Sequence, residues 1–214
     1  SNSFLNIVFI SLCFLFIING SNLIDGFNGL ITIHLLIINF ILLIINMNSL
    51  NNELIIFISA QVIVLLSFLM FNFPKAKMFL GDGGSYMFGT LTAMNVIKTN
   101  NFNPEISSFF FCVLLFYLFF EVFFSFFRKI FLKKSPLKPD SYHLHMLTFK
   151  WLKNLRKFQD WNYLNSLVLN TIYLIAILPA IYFKNNGIFC RYWFFALLVS
   201  YIFFYSRLYS FAKK

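Results

Sequence analysis

Long apolar runs separated by short polar stretches dominate the pattern of this 214-residue chain. Most of these runs approach the roughly 20 residues that a helix needs to cross a bilayer. Because backbone groups in lipid must be satisfied within their own segment, runs of this length have to be helices. The pattern therefore predicts an all-α, polytopic membrane helix bundle of about seven transmembrane helices. The runs cover approximately residues 3–19, 29–47, 53–71, 84–98, 106–127, 163–183 and 189–209.

Composition excludes an ordinary soluble domain. The chain is 60% hydrophobic and 11% charged, with a mean hydropathy of +0.78, whereas soluble proteins are roughly a quarter charged. Cys13, Cys112 and Cys190 each lie in an apolar run, which predicts neither a disulfide framework nor a thiolate metal site. The chain starts at Ser1 and no cleavable signal precedes the first run. We therefore expect a single integral-membrane domain over residues 1–214 that is a fragment of a longer chain.

The formal charge of +10 predicts an orientation in the membrane rather than nucleic-acid binding. Fourteen of the 17 Lys and Arg residues fall in loops on one side of the predicted bundle, and nine of them lie between Arg128 and Lys157. The positive-inside rule places that side, with its basic loop at 128–160, in the cytoplasm. The N-terminus of the chain then lies outside and the C-terminus inside.

Three polar loops are predicted to lie on that same cytoplasmic face, because an even number of spans separates each from the next. Pairs of predicted spans separate the loop at 20–28 from the loop at 72–83, and that loop from the one at 128–160. All three must therefore open on one side, although they are far apart in the sequence. If the short fourth segment did not cross, the last loop would move to the opposite side.

The stretch MFLGDGGS at 78–85 is the first candidate for chemistry. A carboxylate at the edge of a span costs free energy, and neighbouring glycines let backbone N–H groups approach a ligand closely. Asp82 is thus a candidate to hold a metal ion or to meet a phosphate group. The alternative is a helix-connecting turn in which Asp82 caps the next helix.

The first two loops carry groups that suit a nucleotide. In NGSNLIDGFNGL at 19–30, side-chain amides and a carboxylate can read the edge of a heterocycle and ribose hydroxyls, although turns use the same residue types. In the second loop, Phe79 can stack on a base near the amide of Asn72. Lys75 and Lys77 beside it suit either phosphate or lipid headgroups.

The basic loop ends with two histidines, His143 and His145. At this spacing they do not share a helix face, so a helical pair of metal ligands is disfavoured. They suit a position near phosphate oxygens, at a helix that begins after Pro139 and Asp140. The basic residues before them predict mainly membrane anchoring.

Two polar residues lie inside predicted spans. We interpret His34 as a core histidine hydrogen-bonded to a neighbouring helix. Glu121, seven residues before Arg128, is predicted to be structural or positioning rather than catalytic, by reaching polar surroundings or by pairing with a basic neighbour.

Three motifs, in this order, resemble the polyprenyl-phosphate N-acetylhexosamine-1-phosphate transferase family of the glycosyltransferase family 4 type. They are NLIDGFNGL at 22–30, FNFPKAKMFLGDGGS at 71–85 and PDSYHLH at 139–145, and the chain resembles the C-terminal portion of the family. The resemblance implies that Asp82 binds a catalytic Mg²⁺, with Mn²⁺ as an alternative, and that His143 and His145 contact or orient phosphate groups. It also implies a uridine-nucleotide site formed by Asn22, Asp25, Asn28, Asn72 and Phe79.

The implied reaction transfers a sugar 1-phosphate, such as N-acetylhexosamine 1-phosphate, from a UDP-sugar to polyprenyl phosphate and releases UMP. Such a reaction serves cell-wall or lipopolysaccharide biosynthesis at the bacterial inner membrane, and its active site faces the cytoplasm. A homodimer is left open as an oligomeric state.

Three departures stand against the family pattern. No adjacent pair of aspartates occurs, Asn28 stands where many members have Asp, and Met146 follows His145 where some members continue with histidine.

Other functions fit parts of the sequence. A transporter or channel also uses ionisable residues and broken helices, but it would more often place polar groups near the bilayer midplane. A catalytically inactive remnant would explain the missing aspartate pair. A CDP-alcohol phosphotransferase would need a cluster of aspartates that the sequence lacks.

Overall fold

A computed structural model describes residues 3–49, 51–136, 138, 140–154 and 160–213. These residues contain helices and no strand, which confirms the predicted all-α class. The helices of the described ranges are α1 (Ser3–Leu23), α2 (Leu30–Ser49), α3 (Asn52–Asn72), α4 (Gly81–Phe102), α5 (Ser108–Leu114), α6 (Phe116–Phe131), α7 (Leu144–Asn154), α8 (Trp161–Tyr182) and α9 (Gly187–Ala212).

Four of the described helices, α2, α3, α8 and α9, are long and apolar enough to cross a bilayer, and α5 with α6 would form a fifth span. The seven predicted apolar segments each coincide with a helix or with this pair. The predicted count of seven spans is nevertheless not confirmed. In α1 the described apolar stretch covers only Ile10–Leu23, and α4 carries several polar side chains.

The fifth predicted segment, 106–127, is not one continuous helix. It divides at Leu115 into α5 and α6, whose axes differ by 70°. The hydroxyl of Tyr173 in α8 donates a hydrogen bond to the Leu114 carbonyl at 2.6 Å, which gives a backbone group at the break a partner inside the protein. Just beyond the break, Gly20 of α1 packs so closely that a β-carbon there would collide with the Leu118 carbonyl.

Buried amides and a hydroxyl join α2, α3 and α4 near their middles. The amide of Asn95 donates to Asn39 Oδ1 at 3.0 Å and to Gln61 Oε1 at 2.8 Å. The Thr92 hydroxyl oxygen accepts from the amides of Asn39 and Gln61, both at 2.9 Å. Such bonds between helices in lipid contribute about 0.5–2 kcal/mol each. They explain why α4 can be polar and still lie within the bundle.

Helix α8 lies against α2. His34 Nδ1 in α2 is 3.2 Å from Asn170 Oδ1 in α8, which confirms the predicted bond between the core histidine and a neighbouring helix. The same Asn170 amide donates to the Leu30 carbonyl at 3.1 Å, so α8 is tied to the first turn of α2.

The predicted basic loop at 128–160 contains regular structure. Helix α6 continues to Phe131 and α7 occupies Leu144–Asn154. Arg128 and Lys129 are buried, and the Lys129 ammonium donates to the carbonyls of Pro136 and Lys138 at 3.2 and 2.7 Å. These two residues therefore bond within the protein, and membrane anchoring by the rest of the basic run stays a prediction. Leu137, Pro139 and residues 155–159 of this loop lie outside the described residues.

Candidate active site

The first and second loops meet at Asp82. This residue lies in the first turn of α4, directly after Gly81, whose φ of +68° favours glycine. At the end of α1, the Asn22 amide donates to Asp82 Oδ1 at 2.8 Å and lies 3.2 Å from the Ser85 hydroxyl oxygen. The Ser85 hydroxyl donates back to the Asp82 carbonyl at 3.1 Å. One side chain from α1 thus orients a solvent-exposed carboxylate 60 residues away.

Asp25 is the second carboxylate of this cluster. Burial, and to a smaller extent the negative charge of Asp82, raise the pKa of Asp25 to about 6 against the opposing effect of a hydrogen bond from the Gly81 backbone. The two carboxylates therefore repel each other across a partly buried space. A cation between them would remove that repulsion.

Mg²⁺ is commonly held by one or two carboxylates together with water and substrate phosphates. Asp25 and Asp82 supply such a pair, so the residues present fit a Mg²⁺ ion of this kind. A site made only of protein side chains is not present in the described part of the chain, where no group of three or more His, Cys, Asp or Glu is arranged to hold a metal.

Asn72 joins the two loops from inside the protein. Its side chain is buried, its oxygen accepts from the Gly29 N–H at 2.6 Å, and its amide nitrogen donates to the Met78 carbonyl at 2.8 Å. Asn28 makes a similar link, because its side-chain amide donates to the Pro74 carbonyl at 2.9 Å and its backbone N–H donates to Asn162 Oδ1 at 2.7 Å. Both amides, predicted from the family resemblance to contact the nucleotide, are engaged in holding loops together.

Phe79 and the two lysines of the second loop extend from this cluster into solvent. Phe79 is 77% exposed, as a ring that stacks on a free base would have to be. Lys75 is also exposed and lies 3.7 Å from Asp160, an ion pair that solvent weakens.

The histidine loop forms a second cluster. His143 precedes α7 and His145 lies in its first turn, and their rings are parallel within 4° with centroids 5.5 Å apart. Burial lowers the pKa of His145 to about 4; the Glu121 charge opposes this effect and His143 adds to it. His145 is therefore a neutral imidazole near pH 7, and its buried Nδ1 has no hydrogen-bond partner among the described residues.

Three charged residues support this loop. Glu121 Oε1 lies 3.1 Å from His143 Nδ1, so the prediction that Glu121 pairs with a neighbouring basic group is confirmed. Arg128 donates two bonds to Asp140, at 2.8 and 3.0 Å. Burial alone would raise the pKa of Asp140, but the Arg128 bonds and the Tyr142 N–H lower it below its usual value.

The two clusters touch through the first loop. A β-carbon on Gly26 would lie 3.9 Å from both His145 Nε2 and Met146 Cε, and the Phe27 ring packs edge-on against the His145 ring with centroids 5.8 Å apart. Loops carrying Asn22, Asp82 and His145 are therefore neighbours at one end of the bundle.

Sequence reasoning missed several residues that support this site. Asp140 and Arg128 were counted as parts of a basic loop, and Tyr201 and Asn165 lie in apolar segments without any motif. The Asn165 amide donates to the His145 carbonyl at 3.0 Å, and the Tyr201 hydroxyl donates to Glu121 at 2.5 Å. Among these residues, only Asn165 had a signal in the sequence, because it is a polar residue within an apolar span.

Fold and site together define an integral membrane protein in which polar loops from three parts of a helical bundle converge at one end. Residues 1–100 match the model of the family described as Glycosyl transferase family 4. This match confirms the resemblance inferred from the motifs.

Three curated relatives show the range of the similarity. Undecaprenyl-phosphate alpha-N-acetylglucosaminyl 1-phosphate transferase of Thermotoga maritima is 30% identical over 64% of this chain and 41% of its own length. Phospho-N-acetylmuramoyl-pentapeptide-transferase of Clostridioides difficile is 30% identical over 75% of this chain and 49% of its own length. The enzyme of the same name from Leuconostoc mesenteroides is 39% identical over 37% of this chain and 25% of its own length.

The chain thus spans at most about half the length of these relatives. No solved structure matches it significantly.

Proposed function

We propose that this chain forms the C-terminal part of an enzyme that transfers N-acetylhexosamine 1-phosphate from a UDP-sugar to polyprenyl phosphate. In this reaction an oxygen of the lipid phosphate attacks the β-phosphorus of the UDP-sugar. The bond between that phosphorus and the oxygen bridging to the α-phosphate breaks, and UMP leaves with the bridging oxygen. The relatives support this proposal, because they are named as transferases of phosphorylated sugars and the Thermotoga maritima relative is named for undecaprenyl phosphate.

One observation carries the proposal: the Asn22 amide bonds to the Asp82 carboxylate, with Asp25 beside them. A bond between two motifs 60 residues apart is not needed for a simple helix-connecting turn. It fixes the direction of a carboxylate that would otherwise rotate freely in solvent. Such preorganisation is what a metal–diphosphate site requires.

In this proposal Asp82, assisted by Asp25, holds Mg²⁺. When bound, the ion supplies positive charge that neutralises the diphosphate and the charge that develops on it. Phe79 offers an exposed ring to the uracil base, and Asn72 and Asn28 hold the loops in place rather than read the base. His145, neutral and lacking a partner at Nδ1, is available to a phosphate oxygen.

The buried polar network between α2, α3 and α4 does not favour a transporter. A transport path would need ionisable or hydrated groups near the midplane. Asn39, Gln61, Thr92 and Asn95 are uncharged, and they bond to one another across the helices. We therefore assign this network to helix packing.

The test uses membranes that contain the product of the full natural reading frame encoding this chain. UMP release from a UDP-N-acetylhexosamine should require both added polyprenyl phosphate and Mg²⁺. Asp82→Asn should abolish release, and Glu105→Gln, which removes an exposed carboxylate from the loop between α4 and α5, should leave it unchanged. Undiminished release in Asp82→Asn would refute the metal assignment, and release independent of lipid phosphate would refute the reaction.

A further inference from the structure

Helix α9 is mostly exposed, yet two of its three buried side chains bond to residues of the site. Of its 26 residues only Cys190, Tyr201 and Tyr205 are buried. The two tyrosines are four residues apart and therefore lie on one face of the helix. The Tyr205 hydroxyl donates to the Tyr142 carbonyl at 2.8 Å, and the Tyr201 hydroxyl donates to Glu121 Oε2 at 2.5 Å. The Tyr205 bond reaches the histidine loop itself, and the Tyr201 bond reaches Glu121, which contacts that loop.

Glu121 connects three parts of the protein at one buried carboxylate. It is 1% exposed. Its Oε1 accepts from the Leu144 N–H at 3.0 Å and lies 3.1 Å from His143 Nδ1, while its Oε2 accepts from Tyr201. A buried carboxylate is costly unless it is fully bonded, and these partners supply its bonds. Packing alone would not need an acid at this position.

These bonds fix both the direction and the protonated nitrogen of the His143 ring. An ionised carboxylate can only accept, so the His143 nitrogen facing Glu121, Nδ1, must carry a proton. The other nitrogen, Nε2, lies 3.5 Å from Asp140 Oδ1, and Asp140 is itself held by Arg128. The ring is therefore held through Nδ1, and it lies parallel to the His145 ring.

We propose that Glu121 and Tyr201 are positioning residues, which set the ring orientation and Nδ1-protonated form of His143. The last helix is then part of the active site as well as a membrane anchor. This inference rests on the proposed transferase function for its kinetic consequence, but not for its structural one. The functional histidine is supported from behind by a carboxylate and a tyrosine, as many metal-binding histidines are by outer partners.

The kinetic test compares variants of the purified full-length protein. Glu121→Ala should lower kcat about 10- to 100-fold, by analogy with the loss when outer partners of metal-binding histidines are removed, with KM for the UDP-sugar nearly unchanged. Glu121→Gln should recover most of the loss. Its amide oxygen can still face His143 and Leu144, because the Tyr201 hydroxyl can rotate to accept from the amide nitrogen. Tyr201→Phe should lower kcat by a smaller factor, and Tyr192→Phe, an exposed tyrosine on the same helix, should not change it.

A second readout does not depend on activity. In ¹⁵N-histidine NMR spectra, assigned by the loss of one signal in His143→Asn, His143 should show a protonated Nδ1 in the wild type, in Tyr192→Phe and in Glu121→Gln. In Glu121→Ala this signature should be lost. If Glu121→Ala does not fold, the kcat of Tyr201→Phe and the spectrum of Glu121→Gln decide the question.

The outcomes separate this inference from the proposed function. A wild-type protein that transfers no sugar phosphate but shows the predicted His143 signature would refute the function and support the positioning. An unprotonated Nδ1 in the wild type, or full kcat in both Glu121→Ala and Tyr201→Phe, would overturn the positioning.

Discussion

The variant Asn72→Ala tests whether Asn72 holds the first and second loops together without taking part in catalysis. Asn72 bonds to Gly29 of the first loop and Met78 of the second, and it touches neither Asp82 nor the histidines through any of its hydrogen bonds. Truncation leaves the N–H of Gly29 and the carbonyl of Met78 without these partners. We expect a less stable protein in which the first loop no longer holds Asn22 and Asp25 firmly beside Asp82.

The size of the effect follows from these two bonds. Each buried polar group left without a partner costs about 1–3 kcal/mol. Gly29 is buried, whereas Met78 is exposed, so water can replace the amide at its carbonyl. We therefore expect Asn72→Ala to lower the free energy of unfolding by about 1–3 kcal/mol, the cost of leaving the buried Gly29 N–H without a partner.

Thermal unfolding in detergent measures this change. A thiol-reactive dye reports exposure of the buried Cys190 in a background carrying Cys13→Ser and Cys112→Ser. The control is Asn19→Ala, because the exposed Asn19 amide bonds to the Leu15 carbonyl of its own helix. The control should change stability by less than about 0.5 kcal/mol. Equal stability of Asn72→Ala and the control would refute the view that Asn72 joins the loops.

Three further predictions concern the same two clusters. Gly29→Ala should lower the free energy of unfolding by about 1–2 kcal/mol, because φ is +75° and the new β-carbon would lie 2.8 Å from the Phe73 ring; unchanged stability would contradict this. Arg128→Lys should speed hydrogen exchange of the Tyr142 amide, since lysine cannot make both bonds to Asp140. Equal exchange rates would show that the two Arg128–Asp140 bonds are not needed to order Asp140. Because the folded pKa of Asp140 lies below its usual value, protection of the same amide should be constant from pH 8 to about 5 and decline only below about 4. A decline between pH 7 and 6 would contradict that assignment.

The sequence predicted the helical class and the loops that carry chemistry, since both depend on local pattern. Apolar length alone specifies helices in lipid. The order of the motifs, with the parity of the spans between them, predicted that residues 22, 82 and 145 lie at the same end. The cytoplasmic orientation of that end stays a prediction that rests on the distribution of lysine and arginine.

The break at Leu115 could not be predicted from the sequence. No proline or glycine marks it, and the residues on both sides are mainly apolar and aromatic. The partner of the Leu114 carbonyl at the break is Tyr173, which approaches from a helix almost 60 residues away in the sequence. An apolar pattern predicts that a helix is buried, but it does not predict which neighbouring side chain bonds to the backbone of that helix.

The support of the histidine loop was missed for a related reason. Tyr201 lies in an apolar, aromatic segment where a single hydroxyl gives no signal above its neighbours. Its partner Glu121 was visible as an acid inside a span, and this charge correctly indicated a basic neighbour. Which basic residue it meets depends on how the chain returns after α6.

Crosslinking between the first loop and the histidine loop tests the central claim most directly, because that claim requires three distant motifs to form one site. Gly26→Cys and Met146→Cys, in membranes of a protein lacking its other cysteines, should be joined by a short bifunctional thiol reagent. Gly26→Cys paired with Asn185→Cys should not be joined, since Asn185 follows α8, whose 22 residues span about 33 Å from its start beside the site. Efficient crosslinking of the first pair alone is the predicted result. Its failure, or equal crosslinking of both pairs, would contradict a single site.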